Sequence, residues 1–165
     1  MEERRLPPPV LVVAGLLGQQ VLPGRGAPHS STTAAAVAIG ALSVALAATT
    51  AARFAKQHTT VHPLHPDRTT SLVTSGPNQF SRNPMYVGMT GLLVANAVRL
   101  RSLPALLVAV GFVQVMERTQ IAAEEQALSA KFGAEYADYR ARVPRWLGPR
   151  GTLRRLRRGR GGTAS

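Results

Sequence analysis

Two blocks of residues have the types and spacing that chemistry could use. The first runs from Thr74 to Gly88. Gly76-Pro77 is a turn signature. Asn83 is suited to an N-cap and Pro84 to the first helical position, so a helix is predicted to begin there. The free N–H groups and positive dipole end of such a helix attract a carboxylate or phosphate. Arg82 sets a fork-shaped donor beside that end. Tyr86, one turn in, offers an aromatic face to a cation or a base. An ordinary capped membrane helix with an interfacial tyrosine would carry the same residues.

The second block begins at Glu124-Glu125 and runs on through Phe132-Gly133, Tyr136 and Tyr139. Glu117 and Glu124 are seven apart and share a helix face, with Gln120 between them. Glu125 lies on the neighbouring stripe with Ile121 and Leu128. Carboxylates so placed could hold an ammonium group or ribose hydroxyls. A solvated helix face would look the same from sequence.

Other residues point elsewhere. The chain has no cysteine, which excludes disulfides, cysteine-ligated metal and a thiol nucleophile. His58, His62 and His65, with Asp67 beyond, have spacing that suggests a metal site on a helix. Pro63 and Pro66 break any such helix, so these residues read as loop structure and no metal is expected. The run Arg154-Arg155-Leu156-Arg157-Arg158-Gly159-Arg160 could bind nucleic acid. Beside membrane spans, attraction to anionic headgroups is the simpler reading, and no nucleic-acid partner is expected.

The elements that must position these blocks are legible in the charge pattern. The chain of 165 residues suits one domain, and its 20 basic against 8 acidic residues give a net charge of +12. No charged residue occurs from Leu6 to Gly24, Gly26 to Ala52, Asn83 to Val98 or Ser102 to Met116. A soluble basic protein would place charge on each exposed helix face. The near-zero mean hydropathy only averages these stretches with a polar C-terminal third. A bilayer core of about 30 Å needs about 20 helical residues, and the second stretch supplies them from Thr33 to Ala52. The last two stretches, 16 and 15 residues long, span if their flanking arginines snorkel.

The fold class expected is therefore all-α. It is an integral membrane bundle of about four transmembrane helices with a cytoplasmic C-terminal helix over 117–142. Four spans put 17 basic residues on the side of the termini and 3 on the other. The positive-inside rule then makes both termini cytoplasmic, in a bacterial inner membrane. A signal peptide is the rival for residues 1–26, but no small-x-small cleavage site follows Val21. Residues 1–148 form the expected membrane-embedded domain. Residues 149–165 form a basic tail, expected to be disordered.

Taken in order, Gly76-Pro77, Arg82-Asn83-Pro84, Tyr86, Gly88, Glu124-Glu125, Phe132-Gly133, Tyr136, Tyr139 and Pro144-Arg145-Trp146 resemble a known pattern. It is that of the isoprenylcysteine carboxyl methyltransferases and the overlapping phospholipid methyltransferases. The resemblance covers roughly residues 53–147. Asn78-Gln79 departs from it, standing where an aromatic-Arg pair is usual. The resemblance implies methyl transfer from S-adenosylmethionine to a lipid-linked or small hydrophobic acceptor, either a carboxylate or an amine. It implies cofactor contacts at Gly76, Arg82, Asn83, Pro84, Tyr86, Gly88, Glu124 and Glu125. In that scheme Arg82 and the helix start hold the methionine carboxylate, a glutamate holds the ribose or amino group, and Tyr86 packs on the adenosyl part. Tyr136, Arg140 and Arg145 are the candidate acceptor-binding residues. A non-catalytic scaffold of the same fold and a membrane reductase using a nicotinamide cofactor remain the alternatives.

Overall fold

The computed structural model describes residues 6–24, 29–56 and 72–148. These residues form helices and connections, with no strand among them. Helix α1 spans Pro8–Gln20, α2 Ser30–Lys56, α3 Pro84–Arg99, α4 Leu103–Met116 and α5 Ala122–Arg142. A short 3-10 turn, Gly76–Gln79, precedes α3, and a π-helical turn, Glu117–Ile121, joins α4 to α5.

Local chemistry explains the helix starts. Prolines occupy the first helical positions of α1, α3 and α4, where their missing N–H costs nothing. Ser102 caps α4, its Oγ accepting from Ala105 N at 3.2 Å and donating to Pro23 O at 2.7 Å. That second bond ties the α3–α4 turn to the end of α1. The turn itself is tight, with Arg101 in the left-handed region at φ 50°. Gln19, fully buried, adds a polar knot at the same end. Its Nε2 donates to Leu93 O at 3.0 Å and Ala105 O at 2.8 Å. Its Oε1 accepts from Asn96 Nδ2 at 2.8 Å.

Helix α3 is the centre of the bundle and touches α1, α2 and α4. Against α2 it packs by small residues. A Cβ on Gly88 would lie 2.8 Å from Ser43 O, one on Gly91 would collide with Ser43 Oγ, and one on Gly40 would lie 3.8 Å from Ala95 Cβ. The pairs run in opposite chain directions, so α2 and α3 are antiparallel. Ala36, Gly40, Ser43, Ala47 and Thr50 make the matching stripe on α2, spaced as one helix face requires. On its other side α3 contributes Tyr86 and Leu93 to an apolar core with Val12, Ala109, Phe112, Met116 and Ile121.

Each of the four charge-free stretches contains a helix, as expected, but among the described residues two helices are long and apolar enough to cross a membrane by length and composition. These are Ser30–Arg53 and the continuous run Leu103–Arg142. Helices α1 and α3, with 13 and 16 residues, fall short of the usual length. Large apolar side chains face outward along three helices. They include Val10, Val13 and Leu17 of α1, Val37, Leu42 and Val44 of α2, and Leu103, Leu107 and Val110 of α4. From Leu103 to the bend at Gly133 the run is about 45 Å long at helical rise, longer than the hydrocarbon thickness. One end must therefore project beyond a bilayer. Gly133, at φ 46° and ψ −117°, bends α5 where the sequence interrupts the apolar spacing. The histidine trio with Asp67 and the basic tail 149–165 both lie outside the described residues.

Candidate functional site

The chemistry-bearing residues converge where the approach to α3, the middle of α5 and the segment after α5 meet. Gly76, in the left-handed region at φ 63°, opens the 3-10 turn. That backbone conformation favours glycine, and a Cβ there would come 2.5 Å from the Arg53 guanidinium at the end of α2, which would have to shift. The turn delivers Asn78, buried, whose carbonyl accepts from Tyr139 OH at 2.7 Å.

The chain then pairs with residues 143–146. Arg82 N donates to Pro144 O at 2.9 Å. Ser81 Oγ and Asn83 Nδ2 both donate to Arg145 O at 3.0 Å, and Ser81 Oγ also accepts from Asn83 N. This corrects one expectation. Asn83 occupies the N-cap position of α3, but its side chain makes no capping bond. The carboxamide nitrogen donates instead to the distant Arg145 carbonyl, which sets the orientation of the side chain. The first turn of α3 is left without a side-chain cap.

The guanidinium groups meet one carboxylate. Arg82 Nη1 lies 2.9 Å from Glu125 Oε1, each side chain 11% exposed. Arg145 grips the same carboxylate with both teeth of its fork, Nε to Oε1 at 3.0 Å and Nη2 to Oε2 at 2.7 Å. That bonding pushes the Arg145 guanidinium further toward its charged form. Glu117 forms the outer edge. It lies 3.9 Å from Arg145 Nη1 and accepts from Trp146 Nε1 at 2.7 Å. Arg82 Nη1 also donates to Tyr136 OH at 3.3 Å, and the Arg140 guanidinium sits 5.9 Å from the centre of the Tyr136 ring.

Beside this cluster runs a second, separate contact: Tyr86 OH donates to Glu124 Oε1 at 2.6 Å. The adjacent glutamates thus serve different partners, as their directions about 100° apart on a helix require. Tyr86 is buried in the apolar core, so its ring packs against protein and its hydroxyl carries the polar contact.

The structure therefore brings together Arg82, Asn83, Pro84, Tyr86, Glu124, Glu125, Tyr136, Arg140 and Arg145. Gly76 stands at the rim against Arg53. Gly88 turns toward α2, and helix packing accounts for its lack of a side chain. The site also includes Ser81 and Trp146, to which sequence reasoning gave no role. Ser81 gave no signal beyond directly preceding Arg82, whereas Trp146 stood in the Pro144-Arg145-Trp146 ending of the family pattern. Among the described residues, the buried side-chain atoms Asn78 Oδ1, Arg82 Nε and Gln120 Oε1 meet no hydrogen-bond partner.

With this geometry in hand, comparison with known proteins decides the family. The phospholipid methyltransferase family model matches residues 31–135. The chain belongs to the phospholipid methyltransferase family. The match runs from α2 through Arg82, Tyr86, Glu124 and Glu125, and stops just before Tyr136, Arg140 and Arg145. An uncharacterized protein of Haemophilus influenzae is 40% identical over 63 residues, which is 38% of this chain and all of that relative. No solved structure matches the chain. Family membership carries methyl transfer to lipid-type substrates as the general activity, and with two apolar helices of spanning length it marks a membrane protein.

Proposed function

We propose that this phospholipid methyltransferase family member transfers a methyl group from S-adenosylmethionine to a lipid-linked or small hydrophobic acceptor. It does so at the cytoplasmic face of a four-span bundle in a bacterial inner membrane. The observation that carries the reading is the Arg82–Glu125–Arg145 cluster, buried on its Arg82 side, standing at the uncapped start of α3.

The residues fit the cofactor. Its carboxylate needs donors, and Arg82 Nε is buried without an acceptor beside a helix N-terminus that no side chain caps. Its amino group and ribose hydroxyls need acceptors, which Glu124 and Asn78 Oδ1 can supply. When bound, the cofactor supplies a methyl group on a positively charged sulfur. Glu125 holds both guanidinium groups in place, so Arg82 meets a ligand already oriented. Tyr86 fixes the direction of the Glu124 carboxylate. The apolar core beneath Tyr86 keeps water from the reacting centre. An acceptor with a hydrocarbon tail reaches such a site from the bilayer, which gives a reason for embedding the enzyme at all. Anionic headgroups are the proposed partner of the basic tail.

Calorimetric titration of the detergent-solubilised chain tests the reading. S-adenosylmethionine should bind, and a reduced nicotinamide dinucleotide should not. Absence of S-adenosylmethionine binding by the wild-type chain refutes it.

A further inference from the structure

We propose that residues 143–147 form a strap over the cofactor site, which lifts to admit the cofactor and is latched shut by Arg145 on Glu125. The inference rests on the methyl-transfer reading above. Helix α5 ends at Val143, where the backbone turns extended. The next residues lie across the approach to α3. Pro144 O accepts from Arg82 N, and Arg145 O accepts from both Ser81 Oγ and Asn83 Nδ2. Beneath them are the groups the cofactor needs. Ser81 is 1% exposed and the side chains of Arg82 and Glu125 11%, and Arg82 Nε and Asn78 Oδ1 are buried with no partner among the described residues. A ligand as large as a nucleoside carrying an amino acid cannot reach atoms so covered while the cover stays in place.

The way the strap is held suits release. Its apolar anchors stand at its two ends. Val143 packs with Tyr136 and Tyr139, and Trp146 packs against the core that holds Tyr86 and Met116. Between them the strap is held by hydrogen bonds and charge, including the fork of Arg145 on both oxygens of Glu125. Leu147, next along, faces outward.

The two guanidinium groups on Glu125 differ in what leaving it would cost. Arg82 is buried, and breaking its pair would strand a charge away from water. Arg145 is 38% exposed and hydrates when it lets go, while Arg82 keeps Glu125 paired. Lifting the strap therefore breaks the latch without burying a lone charge. That asymmetry makes Arg145 the moving partner and Arg82 the fixed one.

The strap carries the one tryptophan of the chain, so the intrinsic fluorescence of the full chain in detergent reports its position. On rapid mixing with S-adenosylhomocysteine, the observed rate should rise with ligand and then level off at the rate of strap movement. Arg145→Met should raise that plateau at least about tenfold, the worth of a charge-assisted hydrogen bond. It should also make Trp146 more open to acrylamide quenching in the free protein. Arg145→Lys, a point charge in place of the fork, should fall between the two. Should Arg145→Met fail to fold, Arg145→Lys against wild type gives the same comparison. A purely structural role would lower the melting temperature and leave plateau and quenching unmoved. The inference is overturned if the wild-type rate climbs in proportion to ligand up to the limit of mixing. It is also overturned if the variants move neither the plateau nor the quenching. Either result, with S-adenosylhomocysteine bound, leaves the functional reading standing. Wild type that binds neither S-adenosylmethionine nor S-adenosylhomocysteine overturns the functional reading and the role of the strap with it.

Discussion

Replacing Glu125 by Gln removes the one carboxylate that two guanidinium groups share. The consequences on the two sides differ. Arg82 and Glu125 are each 11% exposed, so the variant strands a cation that water reaches poorly. Removing one partner of a buried pair costs about 3–5 kcal/mol, mostly because the other charge stays buried. Arg145 is 38% exposed and can hydrate, so its side of the cluster adds no more than about 1 kcal/mol. At about 2–4 °C per kcal/mol for a chain of this size, the melting temperature should fall by roughly 6–24 °C. Thermal circular dichroism in detergent measures it. Glu124→Gln provides the contrast. The amide oxygen still accepts from Tyr86 OH and no cation is stranded, so the loss should stay near 1 kcal/mol. The double variant Arg82→Met/Glu125→Leu should melt above Glu125→Gln, because it removes the stranded charge with its partner. Equal shifts for the two glutamate variants would refute the reasoning. So would a fall of less than about 3 °C for Glu125→Gln.

Arg82→Ala should weaken S-adenosylmethionine binding roughly 10- to 150-fold by calorimetry, the range for losing a charge-assisted hydrogen bond, and Arg82→Lys should recover only part of it. Gly88→Val should destabilise by about 1–3 kcal/mol in thermal melts, since its Cβ would lie 2.8 Å from Ser43 O and 3.2 Å from Ala47 Cβ. Gly111→Ala, with nothing within 4 Å, should be tolerated and makes the control. Removing residues 150–165 should leave cofactor affinity unchanged and lower affinity for anionic vesicles, with a steep salt dependence seen in flotation assays.

Much of the fold was legible in the chain itself. Charge-free stretches mark helices because an unpaired charge is expelled from an apolar environment whatever the neighbours are. Pro84 marks a helix start because its effect reaches only one turn. Arg82, Tyr86, Glu124 and Glu125 stood out for the same kind of reason, since their residue types and their places at a helix start or along one helix are local facts. What these side chains touch is not local. Arg82 meets Glu125 across the bundle, Tyr86 meets Glu124, and Arg145 returns from beyond α5 to close the cluster. Asn83 shows the limit most clearly. Its sequence context favours a cap, but the carboxamide is turned toward a carbonyl 62 positions away and makes no capping bond. Gly88 reads as part of a motif, and only the antiparallel approach of α2 shows why a side chain is excluded there. Propensity, capping and hydropathy act within a turn or two of chain and can be read along it. Ion pairs and close helix packing depend on which distant segments share a volume, and only the tertiary structure decides that.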